Sequence, residues 1–124
     1  MVGSFRDLTV YKKAIAWAME IFEITKSFPK EERYELTDQI RRSSRAVCRA
    51  IGEGYRKRQY PKHFSSKMSD ADMENTESQV SLDFAFECKY ITEGEYNGLL
   101  SKSEEIGRLI NHMIENPEKY MPSS

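Results

Sequence analysis

Apolar residues recur along the chain at intervals of three and four, and no stretch alternates as a strand would. Leu8, Tyr11, Ile15, Ala18 and Phe22 make one such stripe and predict a first helix over about 8–27. Phe28-Pro29 closes it, because the residue before a proline is pushed out of the helical region. Lys30 to Tyr34 reads as a turn with room for one helical twist.

A second helix is predicted over about 36–57, with Leu36, Ile40, Ser43, Val47, Ile51 and Gly54 on one face. Small residues at Ser43, Ser44, Ala46, Ala50, Gly52 and Gly54 let a neighbouring helix come close. Pro61 suits the first position of a third helix, over about 61–91, since its missing N–H costs nothing there. That stripe is Phe64, Met68, Ala71, Asn75, Ser78, Leu82 and Ala85, with Phe86 beside it. Asn75 and Ser78 interrupt it with polar groups. Thr92-Glu93-Gly94-Glu95 is a capping box that opens a fourth helix over about 93–115. Its stripe runs through Tyr96, Leu99, Leu100, Ser103, Ile106, Gly107, Ile110, Met113 and Ile114, and Asn116-Pro117 stops it.

Four amphipathic helices joined by short turns pack as antiparallel neighbours. The expected fold is all-α, an antiparallel up-down four-helix bundle, with residues 1–124 forming a single domain. Composition agrees: 39% hydrophobic residues with 1 Trp, 7 Tyr and 6 Phe supply a core that a disordered chain lacks. The longest apolar run, Ala14 to Met19, falls far short of the roughly 18 residues a membrane span suggests. The N-terminal residues lack an apolar signal segment. Cys48 and Cys88 have neither CxxC nor metal-ligand spacing and read as two buried, reduced thiols. A cytoplasmic protein without a membrane partner is expected.

No enzyme constellation stands out. His63 and His112 sit in neither HExxH nor Glu-x-x-His, the spacing that aims two ligands at one metal from a helix. Gly52-Glu53-Gly54 follows a helix and not a strand, which rules out a dinucleotide loop. There is no phosphate-binding GxxxxGK[ST] loop and no serine in GxSxG. No catalytic residue, metal or cofactor is expected.

Charge changes the picture more than composition does. The formal net charge is −1, yet the charges are segregated. Residues 41–67 hold nine bases (Arg41, Arg42, Arg45, Arg49, Arg56, Lys57, Arg58, Lys62 and Lys67) against the single acid Glu53, a net of +8. Residues 68–95 hold eight acids against Lys89 alone, a net of −7. At about 100° per residue, Arg42, Arg45, Arg49 and Arg56 lie on one ridge opposite the apolar face, with Arg41 at its edge. Asp70, Glu74 and Glu77 form an acidic stripe on the next helix, and Asp72, Asp83 and Glu87 form another. Three readings fit this pattern. The charges are solvated faces paired across the hairpin; or the basic helix meets a neighbouring subunit's acidic helix head to tail; or the arginines bind nucleic-acid phosphates.

One stretch carries more than periodicity. Phe28-Pro29, Glu32 to Ser44 with Gln39-Ile40-Arg41-Arg42 at its centre, and Ile51-Gly52-Glu53-Gly54 together resemble the signature of the 23S rRNA-intervening-sequence proteins. Phe5-Arg6-Asp7-Leu8 with Tyr11 is similar to that family's N-terminal motif, and Tyr90-Ile91 with Tyr96 to its third-to-fourth helix junction. The chain departs from the pattern at Ala46, Ala50 and Met73-Glu74, where the family has Ser, Asn and Gly-Ser, while Glu77 remains. The resemblance implies a non-enzymatic four-helix bundle of unestablished biochemical role that assembles into a pentameric ring. Its related accessory proteins of diversity-generating retroelements are basic pentameric barrels that engage nucleic acid and a reverse transcriptase. The leading expectation is therefore a homo-oligomeric scaffold, with Gln39, Arg42 and Glu53 structural and an Arg–Glu pair holding helices together. The alternative is an accessory RNA- or DNA-binding protein using the arginine face of helix two.

Overall fold

The computed structural model describes residues 3–122. Four long helices account for most of them: α1 (Thr9–Thr25), α2 (Leu36–Arg56), α3 (Pro61–Glu87) and α4 (Glu93–Glu115), with one-turn 3₁₀ segments at Phe5–Asp7, Lys30–Glu32 and Pro117–Lys119. Each helix packs against the next, α4 closes back on α1, and the backbones of the diagonal pairs stay more than 8 Å apart between Cα atoms. This is the up-down four-helix bundle. The α2–α3 seam is the most extensive and the α1–α4 seam the least.

The predicted stripes of α2, α3 and α4 point inward. Ile40, Val47, Ile51, Phe64, Met68, Leu82, Ile106 and Ile110 are essentially inaccessible to solvent. Gly54 explains the tight α2–α3 seam: a Cβ there would collide with Met68 Cε and stand 3.2 Å from Lys67 Cβ. The two polar interruptions of α3 bridge helices. Ser78 Oγ lies 2.6 Å from Ser43 Oγ on α2, and Asn75 Nδ2 donates to the Ser103 carbonyl on α4 at 2.9 Å.

The face of α1 differs from expectation. Its buried stripe is Val10, Ala14, Trp17, Ala18 and Ile21; of the predicted stripe Leu8 and Ala18 are buried, whereas Tyr11 and Phe22 are only half-buried and Ile15 is 43% exposed. The helix is thus turned by about 100° from the predicted orientation. The cause is Trp17, whose large ring is buried and whose indole N–H donates to the Leu99 carbonyl at 3.1 Å.

The end of α3 differs too. It stops at Glu87, not near 91, in a Schellman turn: the Tyr90 N–H bonds the Ala85 carbonyl and the Lys89 N–H that of Phe86, both at 2.9 Å. Lys89 takes the left-handed conformation, φ 63°, that such a turn needs. At α4 the capping box forms as expected, with Thr92 and Glu95 bonding each other's backbone N–H.

Candidate functional site

The α2 ridge forms because Arg42, Arg45, Arg49 and Arg56 are separated by three, four and seven residues on a helix whose opposite face is core. All four are exposed. Arg42 is held by Asp38 one turn earlier, at 3.3 Å. Arg45 rests its guanidinium 5.6 Å from the Phe22 ring centroid and, like Arg49, has no carboxylate within ion-pair distance among the described residues. Arg41 belongs elsewhere. It is half-buried against α1, donating to Thr25 Oγ1 at 2.8 Å with its guanidinium 4.7 Å from the Phe22 centroid.

Across the seam, α3 offers Glu74 and Glu77. These line an open groove of about 930 Å³ together with Gln39, Arg42, Arg45 and Arg49. Asp38, paired with Arg42 on α2, lines it too, and among the described residues no ion pair crosses it from α2 to α3. Burial, helped by Glu77 and Asp70 nearby, raises the Glu74 carboxyl above its ordinary range. Among the described residues, pairing across the hairpin comes down to Lys67, which meets Glu53 of α2 at 3.3 Å and Asp70 of its own helix at 3.9 Å. The Arg–Glu pair expected to hold the helices is therefore absent within the described residues; Glu53 pairs with a lysine, half in solvent.

The remaining bases gather where α2 turns into α3. Lys57 Nζ stands 5.9 Å from the ring centroid of Tyr60, and Lys62 is exposed. Arg58 folds back on its own helix end, donating from Nε to the Tyr55 carbonyl at 2.9 Å with its guanidinium 3.7 Å from the Tyr55 centroid. The single basic run of the sequence thus divides into an outward ridge and an end cluster.

Two further features went unread in the sequence. Met73, Val80 and Phe84, 55%, 49% and 59% exposed, form a strip on the outward face of α3, directly opposite its core stripe. Tyr60 is half exposed amid the end cluster. Both were discoverable as large apolar or aromatic residues left over once the core stripes are assigned. The thiols also differ from expectation: Cys48 is half-buried and Cys88 exposed. Burial pushes the Cys48 thiol up to about 11.

The fold and these faces define a four-helix bundle with a basic outward face on one helix and an acid-flanked apolar face on the next. The chain belongs to the 23S rRNA-intervening sequence protein family, which it matches over residues 6–112. It is also similar to a crystal structure from Bacteroides thetaiotaomicron described as a protein with unknown function from the S23 ribosomal protein family. The TM-score is 0.78 at 26% sequence identity, over 86% of this chain and 95% of that one. No curated protein matches the chain in sequence. No helix among the described residues is long and apolar enough to cross a membrane.

Proposed function

We infer that the protein is a non-enzymatic assembly protein of the cytoplasm, whose subunits join head to tail into a closed ring. The observation that carries this is a pair of complementary outward faces on adjacent helices. Among the described residues Arg45 and Arg49 stand on α2 without carboxylate partners, and on α3 the exposed strip Met73, Val80 and Phe84 runs beside the equally unpaired Glu74 and Glu77. A contiguous apolar strip rimmed by charge is the composition of a subunit contact.

The directions of the two faces support a ring. Faces on neighbouring helices of a bundle point about 90° apart. Unlike faces near that angle close a small ring, of four members at about 90° and of five at about 108°, whereas faces on diagonal helices would build a filament. The α2–α3 groove would then open toward the ring axis. Five members rather than four is what the sequence resemblance supports, including that to the accessory proteins of diversity-generating retroelements.

Charge reversal tests the contact. Arg45→Glu with Arg49→Glu, and separately Glu74→Lys with Glu77→Lys, should each give monomers in light scattering with helical circular dichroism retained. Mixing the two variants should restore contact between unlike chains, because each acidic face can again meet a basic one, although a ring of five cannot alternate two variants and should not close. Variants that stay assembled would overturn this assignment of the contact.

A further inference from the structure

The end of the bundle where α2 turns into α3 carries a second surface, separate from Arg42, Arg45 and Arg49. We propose that it binds single-stranded nucleic acid, holding a phosphate among Arg6, Arg56 and Arg58 and stacking a base on Tyr60.

The phosphate subsite is a polar pocket of about 390 Å³. Arg6, Arg56, Arg58, Gln59 and Ser4 line it together with Pro122, and among the described residues no carboxylate does. Three guanidinium groups around one pocket suit a phosphate, which accepts their paired N–H groups bidentately. Arg58 is fixed in place by its bond to the Tyr55 carbonyl and its stacking on the Tyr55 ring, so little side-chain freedom is lost on binding. That bond uses one of the five donors of the guanidinium.

The surroundings reinforce the field. From residue 54 to residue 69 the chain contains Arg56, Lys57, Arg58, Lys62 and Lys67 and not one acid. The first turn of α3, a helix of 27 residues, points its N-terminus into this region with no acidic residue and no side-chain cap on its amides. A helix start left open in this way attracts anions.

Tyr60 distinguishes a nucleic acid from any other polyanion. It is 50% exposed, within the same turn as Arg56 and Arg58. Lys57 stands 5.9 Å from its ring centroid and His63 meets it edge-on at 6.0 Å. Tyr60 follows Gln59 of the pocket lining, and an exposed ring next to a phosphate-binding residue offers an unpaired base a stacking face, tolerant of sequence because every base has one. A ring exposed at the surface stacks on an unpaired base but not on one already stacked inside a duplex, so the single strand is the fitting form.

Fluorescence anisotropy at low salt tests this with three probes: a single-stranded RNA of about 20 nucleotides, the same sequence as DNA, and inorganic polyphosphate of matched charge. The unmodified protein should bind either or both oligonucleotides, and binding of RNA alone would assign the ligand to the strand with a 2′-hydroxyl. Tyr60→Ala should weaken oligonucleotide binding about tenfold, Tyr60→Phe should preserve it, and polyphosphate should bind all three proteins alike. Arg56→Gln should lower the slope of log affinity against log salt by about 1. All of these variants should keep the oligomeric state of the parent, so this proposal and the ring contact fail separately. Absence of oligonucleotide binding at low salt would overturn the proposal. Equal affinity of Tyr60→Ala and the parent would overturn it as well.

Discussion

Asn75 and Ser103 bond each other in both directions across the α3–α4 seam. The Asn75 amide donates to the Ser103 carbonyl at 2.9 Å, and the Ser103 hydroxyl donates to Asn75 Oδ1 at 2.8 Å. Gln79 Nε2 adds a third bond, to the same hydroxyl, at 2.9 Å. Both residues are buried, and every buried side-chain polar atom among the described residues has a partner. The pair makes the seam specific: sliding α4 along α3 would strand polar groups in the core, at a cost of about 1–3 kcal/mol for each. Asn75→Leu should therefore destabilise the protein by about 1–3 kcal/mol, and Ser103→Ala by a comparable amount. The double variant should lose less than the sum, with a coupling of at least about 0.5 kcal/mol in a urea-unfolding cycle.

The inward and outward faces of α2 should respond oppositely to truncation. Ile51 is fully buried and Arg56 exposed. Ile51→Ala should cost about 2–5 kcal/mol, since it removes apolar contacts and leaves a cavity. Arg56→Ala should change stability by less than about 1 kcal/mol. Equal losses at the two positions would mean the helix is turned differently from the arrangement described above.

The two thiols should separate by reactivity. Cys88 is exposed, whereas Cys48 is half-buried and its thiol is pushed from 9.0 up to about 11, mainly by burial. Only the thiolate reacts. At about pH 8 a thiol reagent should modify one cysteine per chain quickly and the second only slowly. The same shift has a stability consequence. A group whose pKa is raised by folding stabilises fully below its unfolded value, so the Cys48 contribution should be lost as pH rises from about 9 through about 11. Cys48→Ser should flatten that part of the pH profile in thermal unfolding.

Lys89 holds the left-handed position of the Schellman turn without being glycine. A side chain there costs about 1 kcal/mol or more. Lys89→Gly should raise stability, by up to about 1 kcal/mol once the added freedom of the unfolded chain is offset. Thermal unfolding measures it directly.

Much of this was legible in the sequence, and the exceptions have physical causes. The inward faces of α2, α3 and α4 follow from strong stripes set against charged surroundings. On α1, two apolar stripes run side by side, and spacing alone does not choose between them; the bulk of Trp17 and its bond to Leu99 do. The end of α3 escaped because a lysine, not a glycine, takes the left-handed position. The charged faces were visible as runs. What the sequence concealed was their division, since Arg41 turns to Phe22 and Thr25 and Arg58 to Tyr55 while Arg45 and Arg49 remain outward. The strip Met73, Val80 and Phe84 was concealed by its acidic neighbours, which make that side of α3 read as solvated.

The mass of the unmodified protein in solution bears most directly on the ring. One chain weighs 14.5 kDa. Native mass spectrometry at micromolar concentration, with light scattering alongside, should show one dominant closed species at five times that mass and no ladder of longer assemblies, because a heterologous contact at this angle closes on itself. A single species at 14.5 kDa would contradict the account, since the complementary faces of α2 and α3 would then meet only solvent.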